Sequence, residues 1–157
     1  MCARTEMETI IGDIWEEASK RDAYVVVPTN GFIKNNGCAV MGRGLAKQAS
    51  DRYPGLASSL GDKIRDSGNR VHVFPEIKLI TFPVKYNWWE NADVDLIDES
   101  AVSLKYFMLS NSDNILIPHV GCGNGRLIWE IDVKPVIENR LSGLPNLIVC
   151  DRYAARS

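Results

Sequence analysis

Histidine and cysteine, the usual zinc ligands, are few in this chain of 157 residues. It contains two histidines and four cysteines, with no CxxC pair among them: His72, His119, Cys2, Cys38, Cys122 and Cys150. A zinc site would have little to build on, so we expect no metal. We expect the cysteines to be reduced thiols, as in a protein of a reducing compartment.

Long apolar runs and excess positive charge are missing as well. No stretch approaches the roughly 20 apolar residues of a membrane span, and the opening "MCARTEMETI" lacks a signal-peptide pattern. We therefore predict a cytoplasmic protein with no membrane partner. The net charge is −2 and no basic stripe is visible, so nucleic acid is predicted only as a modified substrate. The length and a hydrophobic content of 45% suit one domain, residues 1–157.

Short apolar runs alternate with helical patterns. We predict strands at residues 8–14, 24–27, 70–74, 78–82, 114–118 and 146–150, the second ending at Pro28. Residues 70–74 and 78–82 would pair through the turn at 75–77. Helical spacing is seen in three sets: Leu45, Ala49 and Tyr53; Ile97, Ala101, Leu104 and Met108; Val133, Ile137 and Leu141. The alternation predicts a three-layer α/β/α fold with a central mixed, largely parallel sheet.

Prolines and glycines predict where two of these helices end and begin. Pro54–Gly55 stops the helix that contains Leu45. Pro135 is tolerated only in the first turn of the last helix, so that helix should begin near Asp132.

Two glycine-rich segments follow predicted strands. The first glycine loop, residues 37–44, follows the strand at 24–27, and the second, residues 121–125, follows the strand at 114–118. Ligands of open α/β sheets bind beyond the carboxyl ends of the strands. Backbone N–H groups in glycine loops, aided by a helix N-terminus, can surround a diphosphate. The alternative is that these glycines only serve tight turns.

Familiar nucleotide motifs fit these loops poorly. Gly37 and Gly42 have P-loop spacing, but Arg43 and Gly44 stand where Lys and Ser or Thr are required. "GRGLAK" begins like a dinucleotide fingerprint, yet Lys47 replaces its third glycine. We exclude a P-loop ATPase and a Rossmann dehydrogenase.

Four motifs in order resemble the macrodomains, which bind ADP-ribose. They are "GDI" at 12–14, "VVVPTNG" at 25–31, "AVMGRGLAKQ" at 39–48 and "IPHVGCGNGRLIWE" at 117–130. The resemblance covers roughly residues 8–150. Its Met-Gly-x-Gly form is similar to the branch of ADP-ribosyl glycohydrolases and ADP-ribose 1″-phosphate phosphatases. "LITFPVKYNWWENADVDLIDESAVSL" at 79–104 most resembles the DNA-directed glycohydrolases.

The resemblance implies roles for individual residues. Asp13 and Ile14 would bind adenine, although Asp13 could instead cap the next segment. Asn30 would bind the distal ribose and assist catalysis, or be a turn residue. The loops would hold the ligand through Met41, Gly42, Arg43, Gly44, Leu45, Gly121, Cys122, Gly123, Asn124 and Gly125, and Tyr153 would stack on adenine.

Lys85 falls on the branch's catalytic lysine. Trp88 and Trp89 nearby could shield it and lower its pKa; the alternative is a lysine that extends to solvent. The two tryptophans could stack on a base or ribose, or belong to the core. We expect His119 to be structural, and Cys122 to be a packed residue rather than a nucleophile.

Gly125 departs from one part of the branch. Members that cleave ADP-ribose from glutamate carry an acid at this position, so Gly125 resembles the DNA-directed members instead. The implied activity is hydrolysis at the 1″ carbon of ADP-ribose, with a nucleobase, a protein side chain or phosphate leaving, and without a cofactor. The alternative is a reader that binds ADP-ribose without turnover.

Overall fold

The computed structural model describes residues 7–151, which form one six-stranded sheet with helices on both faces. The strands are β1 (Glu8–Ile11), β2 (Tyr24–Asn30), β3 (His72–Phe74), β4 (Leu79–Lys85), β5 (Ile115–Ile117) and β6 (Leu147–Asp151). The helices are α1 (Ile14–Arg21), α2 (Gly44–Arg52), α3 (Leu56–Ser67), α4 (Val94–Leu109) and α5 (Lys134–Leu141). A 3₁₀ turn at Pro75–Ile77 joins β3 to β4, and a π-helix at Trp129–Val133 precedes α5.

The strand order is β1-β6-β5-β2-β4-β3, and only β3 is antiparallel to its neighbour. Successive side chains of a strand point to opposite faces, and β2 shows the consequence. Val26 belongs to the core cluster that contains Ile97 of α4 and Ile137 of α5, whereas Val27 belongs to the cluster on the other face, which contains Leu60 of α3. The three-layer fold with a mixed, largely parallel sheet is confirmed.

Helix α2 covers the predicted Leu45 and Ala49 and stops before Pro54, and α4 covers the whole predicted set from Ile97 to Met108. Pro135 lies in the first turn of α5, as predicted. The sequence patterns missed α1 and α3. Among residues 7–151, no helix is both long and apolar enough to cross a membrane.

The strand predicted at 8–14 is wrong beyond Ile11. The strand pairing ends at Ile11, and Gly12 lies between the strand and the helix. Asp13 is the N-cap of α1, so Ile14 begins a helix rather than ending a strand. Both cap hydrogen bonds go to Asp13 Oδ1, from the backbone N–H groups of Trp15 at 2.9 Å and Glu16 at 3.1 Å. Asn, Asp and Ser are the preferred residues for such caps.

Pro28 does not end β2, contrary to prediction. The strand continues to Asn30, with Pro28 paired to Phe82 of β4. Proline has no backbone N–H to donate to a neighbouring strand, so it is disfavoured in a strand that is paired on both sides. On the other side, however, β5 pairs only with Tyr24 and Val25, so β2 is already an edge at this point. This extension carries Asn30 to the end of the sheet.

Candidate ligand-binding and active site

A cleft of about 1010 Å³ lies at the carboxyl ends of β2 and β4, between the two glycine loops. The sequence-predicted residues that line it are Asp13, Ile14, Asn30, Met41, Gly42, Arg43, Gly44, Leu45, Lys85, Gly121, Gly123, Asn124 and Gly125. Cys122 is not among the lining residues, and Tyr153 lies outside the described residues. Parallel strands therefore bring together nearly all the residues that were predicted from separate motifs.

The first glycine loop leads into α2. The N-cap of this helix, Arg43, makes no side-chain hydrogen bond to the first turn, so the N–H groups there stay available to a ligand. Gly44 has a φ of +57°, a conformation that side chains disfavour. A Cβ added at Gly42 would meet no atom within 4 Å. Bare backbone and the start of a helix together form an anion-binding geometry.

The second glycine loop is held by its own backbone. The carbonyl of Gly121 accepts a hydrogen bond from the N–H of Leu127, and that of Gly125 accepts one from Ala92. The N–H groups of Gly123 and Asn124 donate to no acceptor within residues 7–151, so they can bind a ligand. Residues 126–128 and the π-helix separate this loop from α5, so any anion binding here comes from these N–H groups rather than from a helix N-terminus.

Gly125 has no room for a side chain. A Cβ there would lie 2.4 Å from the carbonyl oxygen of Gly121 and 2.7 Å from Cβ of Ala92. An acid at this position would require the backbone of the loop to move.

Asn30 and Lys85 are paired across the ends of β2 and β4, at a register shift between Thr29 and Asn30. The Asn30 amide donates to the Val40 carbonyl at 3.2 Å and accepts from the Phe32 N–H at 2.9 Å. These two bonds orient the amide and leave it a second N–H and a second lone pair. Asn30 is thus a positioned polar group beside Lys85.

Burial lowers the pKa of Lys85, and the positive charges of Arg43 and Arg126 lower it further, against an opposing effect of Glu90. The Lys85 ammonium donates to the backbone carbonyl of Trp88 at 3.2 Å. Lys85 is half-buried and lines the cleft, and its catalytic role stays a prediction. A lowered pKa increases the fraction of neutral amine at a given pH.

Asp13 is a helix cap, as the second of its two alternatives has it, and adenine binding by it stays a prediction. Its Oδ1 caps α1, and the residue also lines the cleft. Ile14 beside it is buried. A capping carboxylate can still accept another hydrogen bond from a ligand through its remaining lone pairs.

Trp88 and Trp89 are not core residues, because their exposures are 51% and 59%. Their rings are perpendicular, 5.5 Å apart between centroids, and Trp89 makes a second edge contact with Phe32 at 5.5 Å. All three line the cleft.

His119 stacks on Trp129, with 4.1 Å between the ring centroids and 6° between the planes. Burial lowers the pKa of His119, which favours the neutral imidazole. Burial raises the pKa of Cys122 to about 11, and its thiol donates to the Val120 carbonyl at 3.4 Å. A protonated thiol is a poor nucleophile. Cys122 therefore has the packed surroundings expected of it, whereas His119 also lines the cleft, so its structural role stays a prediction.

Several lining residues escaped the sequence reasoning: Phe32, Lys34, Gln48, Glu90, Arg126 and Asp151. Arg126 has a φ of +66°, uncommon for a residue with a side chain. Its position directly after the second glycine loop was the signal that could have drawn attention to it. Among residues 7–151, no group of three or more His, Cys, Asp or Glu side chains could hold a metal ion.

The fold agrees with solved macrodomains. The macrodomain of Mycobacterium tuberculosis DarG has a TM-score of 0.75 at 23% identity, covering 94% of this chain and 98% of that one. Thermosipho africanus DarTG in complex with ADP-ribose has a TM-score of 0.76 at 18% identity, covering 95% and 43%. The chain therefore has the macrodomain fold, and its predicted resemblance to macrodomains is confirmed.

Two curated proteins that share one named activity are similar to this chain in sequence. DNA ADP-ribosyl glycohydrolases from Mycobacterium bovis and Mycobacterium tuberculosis are each 28% identical to it over 131 residues. The alignment covers 76% of this chain but 37% of the relatives, so the chain spans little more than a third of their length. No protein-family profile matches the chain.

Proposed function

We propose that this protein binds the ADP-ribose unit of an ADP-ribosylated nucleobase and hydrolyses the bond at the 1″ carbon. The observation that carries the proposal is the pairing of Asn30 with Lys85 at the strand ends, inside a cleft bounded by two glycine loops. Such a cleft offers N–H groups for a diphosphate, an amide for a sugar and an amine for chemistry.

In this arrangement adenine lies toward Asp13 and Ile14, and the diphosphate lies between the two loops. A Cβ added at Gly44 would be 3.7 Å from Nδ2 of the Asn124 side chain, so the two loops approach each other here. Asn30 then meets the hydroxyls of the distal ribose. Tyr153 as an adenine-stacking residue stays a prediction.

Hydrolysis breaks the bond between C1″ and the base nitrogen, adds a water oxygen to C1″ and returns a proton to the base. Lys85 can take the proton of the attacking water. Alternatively it attacks C1″ and displaces the base, and water then cleaves the bond between C1″ and the lysine nitrogen to release ADP-ribose. Both roles need the neutral amine. Its lowered pKa favours that form. No metal or cofactor is required in this scheme.

A nucleobase is the preferred leaving group for two reasons. An acid placed as in the glutamate-directed members would collide with Gly121 and Ala92 at the Gly125 position. The curated relatives are named DNA ADP-ribosyl glycohydrolases. Both features support a mechanism that depends on the lysine.

Calorimetry with ADP-ribose tests the binding part. We expect micromolar affinity for the wild-type protein and weaker affinity for Asn30→Ala, because the amide loses its hydrogen bonds to the ribose. The Asn30→Ala protein must first show an unchanged circular dichroism spectrum, since Asn30 also orients Val40 and Phe32. If the wild-type protein does not bind ADP-ribose, the proposed function is wrong.

Turnover of an oligonucleotide with ADP-ribose on one base tests the chemistry. Lys85→Ala should lower kcat by roughly 10²- to 10⁴-fold, the usual contribution of an acid–base group. Lys105→Ala, an exposed lysine on α4 away from the cleft, is the matched control and should keep full activity. Undiminished turnover by Lys85→Ala would remove the catalytic assignment.

A binding module without turnover is the second candidate. It is favoured by the present contacts of Lys85 and Asn30, which already engage the carbonyls of Trp88 and Val40. The same oligonucleotide assay decides, because a reader would bind the modified strand and release it unchanged.

A further inference from the structure

Aromatic faces are exposed where the cleft opens beside Lys85. Trp88 and Trp89 are both more than half exposed, and Phe32 contacts Trp89 edge-on. Exposing two neighbouring tryptophans forgoes the stabilisation of burying them. Because all three residues line the cleft, the exposed rings border the ligand space rather than a remote surface.

This aromatic segment is held in place by hydrogen bonds. The N–H of Asn87 donates to the Glu90 carboxylate at 2.7 Å, and Lys85 donates to the Trp88 carbonyl at 3.2 Å. At the far end, the Ala92 N–H donates to the Gly125 carbonyl at 2.9 Å. The two tryptophans are thus presented on a segment that is fixed on both sides of them.

Positive charge surrounds the same opening. Lys34 and Arg43, from the connection between β2 and α2, and Arg126, after the second glycine loop, are exposed and line the cleft. Arg43 and Arg126 form no ion pair with any residue between 7 and 151, and both lie near enough to lower the pKa of Lys85. Glu90 is the opposing charge here, and its carboxylate accepts the Asn87 N–H. A net charge of −2 over the chain conceals this local excess.

We infer that Trp88, Trp89, Arg43 and Arg126 form a binding surface for the single-stranded nucleic acid that flanks the modified base. The inference rests on the proposed function, and specifies the substrate as a strand rather than a nucleoside. Bases adjacent to the modified one stack on the tryptophans, and the arginines contact the backbone phosphates. Aromatic rings combined with cations along a groove are the usual means of binding single strands without reading their sequence.

The first test compares two ligands on the Lys85→Ala protein, which leaves the substrate intact. The ligands are free ADP-ribose and a short single-stranded deoxyoligonucleotide with ADP-ribose on one internal base. We expect the oligonucleotide to bind roughly 5- to 150-fold more tightly for each stacked base. Trp88→Ala and Trp89→Ala should reduce this ratio, whereas Tyr106→Ala, an exposed aromatic on α4, should not.

The second test is salt dependence. Arg126→Ala should lower the slope of log affinity against log salt by about 0.7 for the oligonucleotide if it loses one phosphate contact. Lys105→Ala is the matched control and should leave the slope unchanged. Thermal unfolding of each variant confirms that the folded protein is being compared.

The outcomes separate the two proposals. No ADP-ribose binding by the wild-type protein refutes the proposed function. If the protein binds free ADP-ribose and the oligonucleotide with equal affinity, the nucleic-acid surface is refuted but the proposed function is not. The same conclusion follows if an ADP-ribosylated peptide binds as tightly as the oligonucleotide. An affinity ratio that is unchanged in both tryptophan variants also refutes it.

Discussion

A side chain added at Gly42 in the first glycine loop would meet no atom within 4 Å, whereas one added at Gly125 in the second would lie 2.4 Å from the Gly121 carbonyl oxygen. Both glycines line the cleft, but the space for a side chain is open at Gly42 and occupied by protein atoms at Gly125. Similar sequences at equivalent strand ends therefore lack side chains for different reasons. Gly42 leaves space for a ligand, and Gly125 lets the loop close on itself.

The first loop has its own point of close packing, which lies on another element. A Cβ at Gly61, in the middle of α3, would fall 1.9 Å from the Gly37 carbonyl oxygen. That contact seats the loop on α3. Each loop thus divides into an anchored part and a part that is open to the ligand.

Gly61→Ala and Gly125→Ala should give the largest effects, and these effects are on stability. Alanine in place of glycine inside a helix normally stabilises by about 0.5–1 kcal/mol. Here we expect a loss of about 1–3 kcal/mol from overpacking, larger for Gly61 because its contact is shorter. The measurement is the free energy of unfolding in urea.

Ser58→Ala, an exposed position in the same helix, is the control and should be neutral or slightly stabilising. An unchanged or raised stability of Gly61→Ala would show that the loop does not rest on α3 at this distance.

Gly42→Ala should have an intermediate effect, on ligand binding alone. Its methyl group enters the space where the ligand approaches the backbone, so the affinity for ADP-ribose should fall by about tenfold or more, or at least about 1.4 kcal/mol. The melting temperature should stay within about 2 °C, because the methyl meets no protein atom. Calorimetry and thermal unfolding on one preparation check both.

Gly123→Ala, also open on all sides, should behave in the same way. If neither substitution weakens binding, the open glycines serve only the turns, and the comparison between open and anchored positions loses its functional meaning.

Local patterns were sufficient for the parts of the site that follow strands. Parallel strands end at one edge, so Asn30 at the end of β2, Lys85 at the end of β4 and the loop after β5 could be expected to meet. The positions of these three depend on strand order and not on detailed packing. Their roles in chemistry remain predictions.

Contacts between distant segments could not be read from the sequence. Gly61 looks like a mild defect in a helical stretch until the Gly37 carbonyl is placed against it. Pro28 looks like a strand end until β5 is seen to stop pairing at Val25. Asp13 was assigned to a strand because "ETIIGDI" is apolar, whereas its side chain starts a helix. For Gly61 and Pro28, tertiary contacts outweighed a local propensity. Asp13 differs, because its cap is a local interaction with Trp15 and Glu16 that the strand prediction overlooked.

The smallest expected effect concerns pH, and it compares the arginines that flank the two loops. Arg43 and Arg126 both lower the pKa of Lys85, Arg43 more strongly. Removing either positive charge makes the ammonium form less unfavourable, so the pKa of Lys85 rises. If the neutral amine is the active form, the rising limb of kcat/KM against pH should move to higher pH by less than about one unit.

The shift should be larger for Arg43→Gln than for Arg126→Gln, and absent in Lys105→Gln, whose charge lies outside the cleft. The position of the limb is the readout because either arginine could also change KM through the substrate. A limb that stays fixed in both arginine variants would mean that another group titrates. If the protonated lysine is instead the active form, as an acid that gives its proton to the leaving base, the same rise in pKa would move a falling limb to higher pH. Whether the limb that moves rises or falls with pH therefore separates a base or nucleophile from an acid as the role of Lys85.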